Sequence, residues 1–346
     1  MTALLKAIFR RWARRPRDQW DHFVASLTRE ALEVDPAMSD ADKRALFRRN
    51  VTLVELEPHA FCNRTCTFCP NSTIDRLTVK TTLDRALFES ILRDLASVDY
   101  RHVLRFARYS EPMAHEHIFE MVAMARRALP KARIDIVTNG DYLKPDSIRR
   151  LRDAGLSVLR VSVYLQPRVA WSAPAAREAI ARVAKRAELE PVWGVTTETS
   201  VGATFPYDRL PIIVFSHNFD EIGYDRGQLV SSLVDREYVR RSPCFLVFSN
   251  FTVDFDGKVM PCCNLRGDHP QHREFVLGDL ARKESIFDVY ASPRFTEWRR
   301  GLATVGDKGY PCATCKQKVL DGPRLAEIGR AVDAKLRAIG VTVSQS

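Results

Sequence analysis

The chain has 346 residues, 45% apolar and 28% charged, with a formal net charge of +10 from 53 basic and 43 acidic side chains. That composition supports a packed core and excludes a disordered polymer, and no window supplies the roughly 18 apolar residues that span a bilayer. No secretory pattern opens the chain, so its eight cysteines point to metal or redox chemistry in a reducing cytoplasm rather than to disulfides.

Residues 1–50 read as a basic helical extension broken at Pro16 and Pro36. Its first part carries Lys6, Arg10, Arg11, Arg14, Arg15 and Arg17 without an acid, interleaved with Leu4, Leu5, Ile8, Phe9 and Trp12. A helix with a solvated basic face and one packed face is the plain reading. An anionic membrane, an acidic peptide or nucleic acid would also suit it, although no zinc-finger or helix-turn-helix pattern supports nucleic acid.

From there strands and helices alternate. VTLVELEP (51–58) is rich in β-branched residues and reads as a strand. Leu83, Leu87, Ile91 and Leu95 recur at helical spacing within 83–98. A strand at 101–107, a helix at 117–129 ended by Pro130, and a strand at 132–140 closed by Asn-Gly follow. A helix at 145–155 begins with Pro145 and ends at Gly155. Then come a strand (157–164), a helix (173–188) and a strand (191–200), while 207–226 holds a helix and a sixth strand. Such alternation implies an α/β fold with a parallel sheet, whose sites lie at the carboxyl ends of the strands. The loop FCNRTCTFCPNS (61–72), YSEP (109–112), TNG (138–140) and Ser162 all fall at strand ends.

After residue 243 the character changes. FSNFTVDFDGKVMPCC (248–263) alternates around an Asp-Gly hairpin signal, 292–305 reads as a helix, YPCATCKQ (310–317) supplies Cys312-x-x-Cys315, and a last helix occupies about 323–338.

Cys62, Cys66 and Cys69 are three ligands where a closed zinc site wants four. A four-iron cluster takes one thiolate per iron, so three leave one iron open to a cofactor or substrate. The bland alternatives are chance cysteines in a reduced protein, or a zinc site completed by a distant ligand such as His59. The Cys-x-x-x-Cys-x-aromatic-Cys spacing, behind the first strand of a β/α repeat, resembles the signature of radical S-adenosylmethionine (SAM) enzymes. The resemblance covers 51 to about 225 and implies a partial (β/α)6 TIM barrel. It also implies that the open iron chelates SAM, which is reductively cleaved to methionine and a 5′-deoxyadenosyl radical that abstracts a substrate hydrogen.

Further matches are residue by residue. Phe68 can shield the cluster. Tyr109-Ser110-Glu111-Pro112 stands where the family has a Gly-Gly-Glu-Pro turn for the SAM amino group. Both glycines are replaced, and Ser110 is strained if the turn needs positive φ. Thr138-Asn139-Gly140 resembles the family's third-strand turn, and Ser162 matches a polar position near the ribose.

Cys244, a Gly257-x4-Cys262 hairpin and Cys312-x-x-Cys315 resemble the SPASM extension in its short "twitch" form. That implies one auxiliary 4Fe–4S cluster fully ligated by Cys244, Cys262, Cys312 and Cys315, with Cys263 spare. The reverse choice of Cys263 over Cys262 is disfavoured by the glycine spacing, and a four-cysteine zinc site is the structural alternative. The resulting division is 1–50 extension, 51–226 barrel, 227–322 small α+β twitch/SPASM domain and 323–346 C-terminal helix and tail.

The activity these resemblances imply is oxidation of a small natural-product, sugar or cyclitol substrate, with the auxiliary cluster handling an electron. Flavodoxin or ferredoxin would act as reductant. Maturation of a ribosomally made peptide is the alternative, weakened because no winged-helix leader-binding pattern precedes the barrel. A non-enzymatic iron–sulfur or zinc module is the third. Arg105, Arg108, Tyr109, Tyr164 and Gln166 are candidate substrate contacts, the two arginines suiting a carboxylate or phosphate. His115 and His117 read as capping or surface residues.

Overall fold

The computed structural model describes residues 16–166 and 169–343. The basic run within 1–15, with its apolar residues, lies outside the described residues. One ten-stranded sheet organises the chain: β1 (Leu53–Leu56), β2 (Val103–Phe106), β3 (Arg133–Thr138), β4 (Val158–Ser162), β5 (Val192–Thr196), β6 (Ser200–Phe205), β7 (Ile212–His217), β8 (Asn250–Val253), β9 (Lys258–Met260) and β10 (Gly278–Asp279). Its spatial order is β10-β9-β8-β1-β2-β3-β4-β7-β6-β5.

Six consecutive strands, from β8 through β1 to β7, run parallel, as crossover helices require. The helices Arg85–Ser97, Ile118–Ala128, Pro145–Asp153 and Ala173–Ala187 make those crossovers. Period-2 alternation divides the strand side chains. Val54, Leu56, Leu104, Phe106, Ile134, Ile136, Leu159, Val161, Ile212 and Val214 are buried core, illustrated by Phe106 meeting Phe88 of the first crossover helix at 5.9 Å. The opposite set, including Glu55, Arg105, Asp135 and Arg160, lines a polar interior.

The fifth parallel strand is not where the sequence places it. Residues 191–200 form β5 and enter a turn, and β5 and β6 add antiparallel at the far edge. The inner position next to β4 belongs to β7. An inner parallel strand is covered on both faces and reads as a near-continuous apolar run. IIVFSH meets that demand, whereas the 192–196 segment carries Gly194 and is exposed along its whole length. Within 207–226 the strand comes first and only a short helix, Phe219–Ile222, follows.

The extension is helical where described, at Pro16–Ser26, Arg29–Leu32 and Asp40–Asn50. It is wedged against the C-terminal part through aromatic edges. Trp20 meets Phe245 and Phe23 meets Phe248, while Phe47 meets Phe251, Phe287 and Tyr290, all at 5.1–5.5 Å. Such pairs add about 0.5–1.5 kcal/mol each beyond area burial. The β8–β9 hairpin turns at Gly257 with φ +88°, where a Cβ would stand 2.8 Å from Leu87 Cδ2. The helices Pro293–Ala303 and Gly322–Ile339 complete the chain. No helix among the described residues is long and apolar enough to cross a membrane.

Candidate active site and its two cysteine groups

Cys62, Cys66 and Cys69 sit on the loop that leaves β1. The loop is pinned from several sides. Cys62 N–H donates to the Arg76 carbonyl at 2.9 Å, Cys69 N–H donates to the Cys66 carbonyl at 3.0 Å, and Glu111 N–H donates to the Phe61 carbonyl at 2.9 Å. Two residues inside the motif bind the turn after β3. Asn63 donates to Asp141 at 2.7 Å and accepts from Asn139 at 2.8 Å, while Arg64 forms a bidentate pair with Asp141 at 2.6 Å. Burial pushes all three thiols upward, Cys62 to about 12 and Cys66 to about 11. Bound metal inverts that preference and deprotonates a thiol outright.

Glu111 joins the turns. Its carboxylate accepts from Thr138 Oγ1 at 2.6 Å, Asn139 N–H at 2.7 Å and Met113 N–H at 2.9 Å. Burial drives it to about 7, against the downward pull of those three donors. Gly140, at φ +81°, lets this turn close where a Cβ would lie 2.8 Å from Val161 Cγ1. His59, the distant ligand of the zinc alternative, instead bonds the Glu111 carbonyl at 2.8 Å. His117 is the N-cap residue of Ile118–Ala128 and makes no side-chain cap bond.

The expected strain at Ser110 is displaced. Positive φ falls on Arg108, at +83°, and not on Ser110. A left-handed non-glycine needs support, and Arg108 has it: its guanidinium is 2.6 Å from Asp254 and donates to the Leu265 carbonyl at 2.6 Å. Ser110 is buried with an unpartnered hydroxyl.

Tyr109 is also buried. Its ring lies near the Arg108 and Arg266 guanidiniums, and its hydroxyl donates to the Cys263 carbonyl at 2.9 Å. Arg105, paired with Asp135 at 3.4 Å, and Arg108 are thus engaged with acids of the protein. Phe68 stacks on Phe219 at 4.3 Å and meets Tyr164 at 5.2 Å. Ser162 is half-buried at the end of β4. Gln166 is exposed.

The second group gathers Cys244, Cys262, Cys312 and Cys315. Cys244 N–H donates to Leu302 and Cys315 N–H to Cys312. Cys262 lies in the field of Cys263, Cys312 and Cys244, whereas Cys263 itself faces Glu55, Arg226 and Gln317. Among the described residues no three Cys, His, Asp or Glu donors converge on a single-ion site.

Several site residues carry no motif and escaped sequence reading: Asn63, Arg64, Asp141, Arg226 and Asn264. Only their placement within or beside the cysteine runs hints at them.

A carboxyl-end loop with three cysteines, an adjoining four-cysteine module and a parallel barrel define an iron–sulfur enzyme that uses SAM. Residues 56–166 match the family model of the radical SAM superfamily and residues 244–316 that of the iron–sulfur cluster-binding domain SPASM, so the chain carries both domains. Its cofactors are SAM and 4Fe–4S clusters.

The S-adenosyl-L-methionine-dependent 2-deoxy-scyllo-inosamine dehydrogenase of Niallia circulans is 24% identical over 251 residues, spanning 72% of this chain and 86% of the relative. The crystal structure of BtrN in complex with AdoMet and 2-DOIA superposes with TM-score 0.52 at 21% identity, covering 73% of this chain and 87% of that one. The radical SAM and SPASM domains mark the protein as a radical SAM enzyme, and the non-enzymatic alternative falls away.

Proposed function

We propose that the enzyme oxidises a secondary alcohol of an aminocyclitol- or sugar-like small molecule to a ketone. The observation that carries this reading is the short bridge between the two cysteine groups. Arg226 lies within electrostatic reach of Cys69 and donates to Asn264 Oδ1 at 2.9 Å. The Asn264 amide stands 3.7 Å from Cys315 Sγ. A substrate at the barrel mouth would lie between a radical source and an electron acceptor. The relative's printed activity, dehydrogenation of an aminocyclitol, supports the same class.

In this reading Cys62, Cys66 and Cys69 hold the SAM-binding cluster. Cys244, Cys262, Cys312 and Cys315 hold the auxiliary one and leave Cys263 a free thiol. When bound, the cofactors supply a 5′-deoxyadenosyl radical and accept one electron from the substrate.

The chain positions these parts. Ser110, Glu111, Thr138, Asn139 and Ser162 edge the SAM site, and Phe68 screens the cluster with Phe219. Tyr109, turned to the second module, holds the turn beneath it. Loss of a hydrogen atom from the carbinol carbon, then of one electron and the hydroxyl proton, gives the ketone. The division at 226/227 separates the radical source from the acceptor. A cytoplasmic setting with a flavodoxin or ferredoxin reductant suits cysteines without disulfides and the need for low-potential electrons.

The test is anaerobic incubation with candidate aminocyclitols deuterated at each carbinol carbon. Deuterium in 5′-deoxyadenosine together with the ketone is expected. SAM cleavage without label transfer from any aminocyclitol or sugar, but with transfer from a peptide, would overturn the substrate class in favour of peptide maturation.

A further inference from the structure

Among the described residues, four arginines are buried in backbone and side chain alike: Arg76, Arg240, Arg266 and Arg299; Arg108, whose side chain is also buried, is paired with Asp254. A buried cation is costly unless something compensates it, and for three of them the compensation is visible. Arg76 pairs with Glu57 and Asp268, and Arg266 pairs with Asp268. Arg299 lies against the faces of Tyr290 and Phe295, at 4.7 and 5.1 Å, a cation–π setting.

Arg240 has neither an acid nor a ring face among the described residues. Its guanidinium donates to the carbonyls of Ser242, Cys315, Gln317 and Pro243 at 2.7–3.2 Å, and Nη1 stands 3.7 Å from Cys315 Sγ. Carbonyl dipoles satisfy its donors but leave its full charge uncompensated.

Lys308 repeats the pattern. It is buried, donates its ammonium to the Gly301 and Thr304 carbonyls at 3.1 and 2.9 Å, and has no ion pair among the described residues. Its backbone N–H donates to the Arg240 carbonyl at 2.9 Å, so the two cations are structurally joined. Both lie in the field of Cys244 and Cys312.

We propose that Arg240 and Lys308 are the counter-charges of the auxiliary cluster and bias it toward taking up an electron. The inference rests on the reading that Cys244, Cys262, Cys312 and Cys315 hold that cluster. Four thiolates give an oxidised 4Fe–4S centre a double negative charge and the reduced centre a triple one. Fixed positive charge in a low-dielectric interior stabilises the more negative state more. Hydrogen bonds to cluster sulfur act in the same direction, and Cys315 Sγ has two such neighbours, Arg240 Nη1 and Asn264 Nδ2. The first loop is arranged differently: Arg64 is neutralised by Asp141, Arg76 and Arg266 near Cys69 are paired with acids, and Arg226 near Cys69 is shared with the second group through Asn264. The electron released by the substrate would therefore be drawn to the second group.

The experiment is a potentiometric titration followed by electron paramagnetic resonance on the anaerobically reconstituted full chain. Wild type, Arg240→Gln, Arg240→Lys and Lys308→Met are compared, with the SAM-binding cluster as internal reference. The auxiliary midpoint is expected to fall in Arg240→Gln and Lys308→Met by at least a tenfold change in the oxidised-to-reduced ratio, 59 mV for a one-electron couple. It should fall less in Arg240→Lys, and the reference midpoint should hold.

Loaded variants with an unmoved auxiliary midpoint would overturn the proposal. If Arg240→Gln fails to load the second cluster, Lys308→Met decides by its midpoint. If neither loads, recovery of iron in Arg240→Lys supports the charge role and no recovery overturns it. Absence of a second cluster in wild type itself would instead sink the ligand assignment on which the inference rests.

Discussion

The two cysteine groups are built in opposite ways. The first is one short loop whose three thiols are close in sequence and whose shape is set by neighbours, through Asn63, Arg64, Asp141 and Glu111. The second is assembled from distant segments, with Cys244 before a hairpin, Cys262 after it and Cys312 and Cys315 on a later loop. A local loop can leave one corner of a cluster bare without losing its fold. A set of far-apart ligands closes the corners and makes the metal part of the tertiary structure. In the proposed function, chemistry at iron belongs to the first group and electron transfer to the second.

The largest test of this contrast is Cys62→Ala/Cys66→Ala/Cys69→Ala. It should remove about four of about eight irons and abolish 5′-deoxyadenosine formation with dithionite; retained SAM cleavage would break the assignment.

Cys312→Ala/Cys315→Ala should also cost about four irons, yet leave SAM cleavage standing while ketone formation stops. Unchanged iron content in this variant would remove the auxiliary cluster from the account.

Asp254→Ala strikes between the groups. It takes from the buried Arg108 guanidinium its nearest acid and leaves only Glu57 at 4.0 Å; truncating one partner of a buried pair costs up to about 3–5 kcal/mol, read as a lower denaturant midpoint.

Asp141→Asn is milder. It weakens the bidentate hold on Arg64, a charge-assisted contact worth about 1.5–3 kcal/mol, and should raise KM for SAM more than it lowers stability.

Smallest is Gly257→Ala, expected to cost about 1–2 kcal/mol for the left-handed conformation plus the encroachment on Leu87, and visible as a lower Tm without loss of SAM cleavage.

Much of this was legible in the sequence because it is local. The cysteine spacing, the Asp-Gly turn at 256–257 and the apolar periodicity of 83–98 each belong to one segment, and each stands where it was expected. What escaped was non-local. Nothing within IIVFSH says that it, rather than VWGVT, takes the inner place beside β4; sheet order decides that. The left-handed residue is Arg108 rather than Ser110 because support comes from Asp254 and Leu265, far along the chain. Arg240 looks in sequence like any surface arginine, and only its burial among carbonyls beside Cys315 marks it.

β1 pairs in parallel with β8 over four residues, so the two modules share one hydrogen-bond ladder. Neighbouring strands stand about 4.8 Å apart, and a ladder of that kind cannot open like a hinge without breaking. The placement of the two cysteine groups is accordingly tied to one sheet. The modules are not interchangeable parts either: deleting residues from Cys244 onward would leave β1 an unpaired edge, the kind of surface that seeds aggregation.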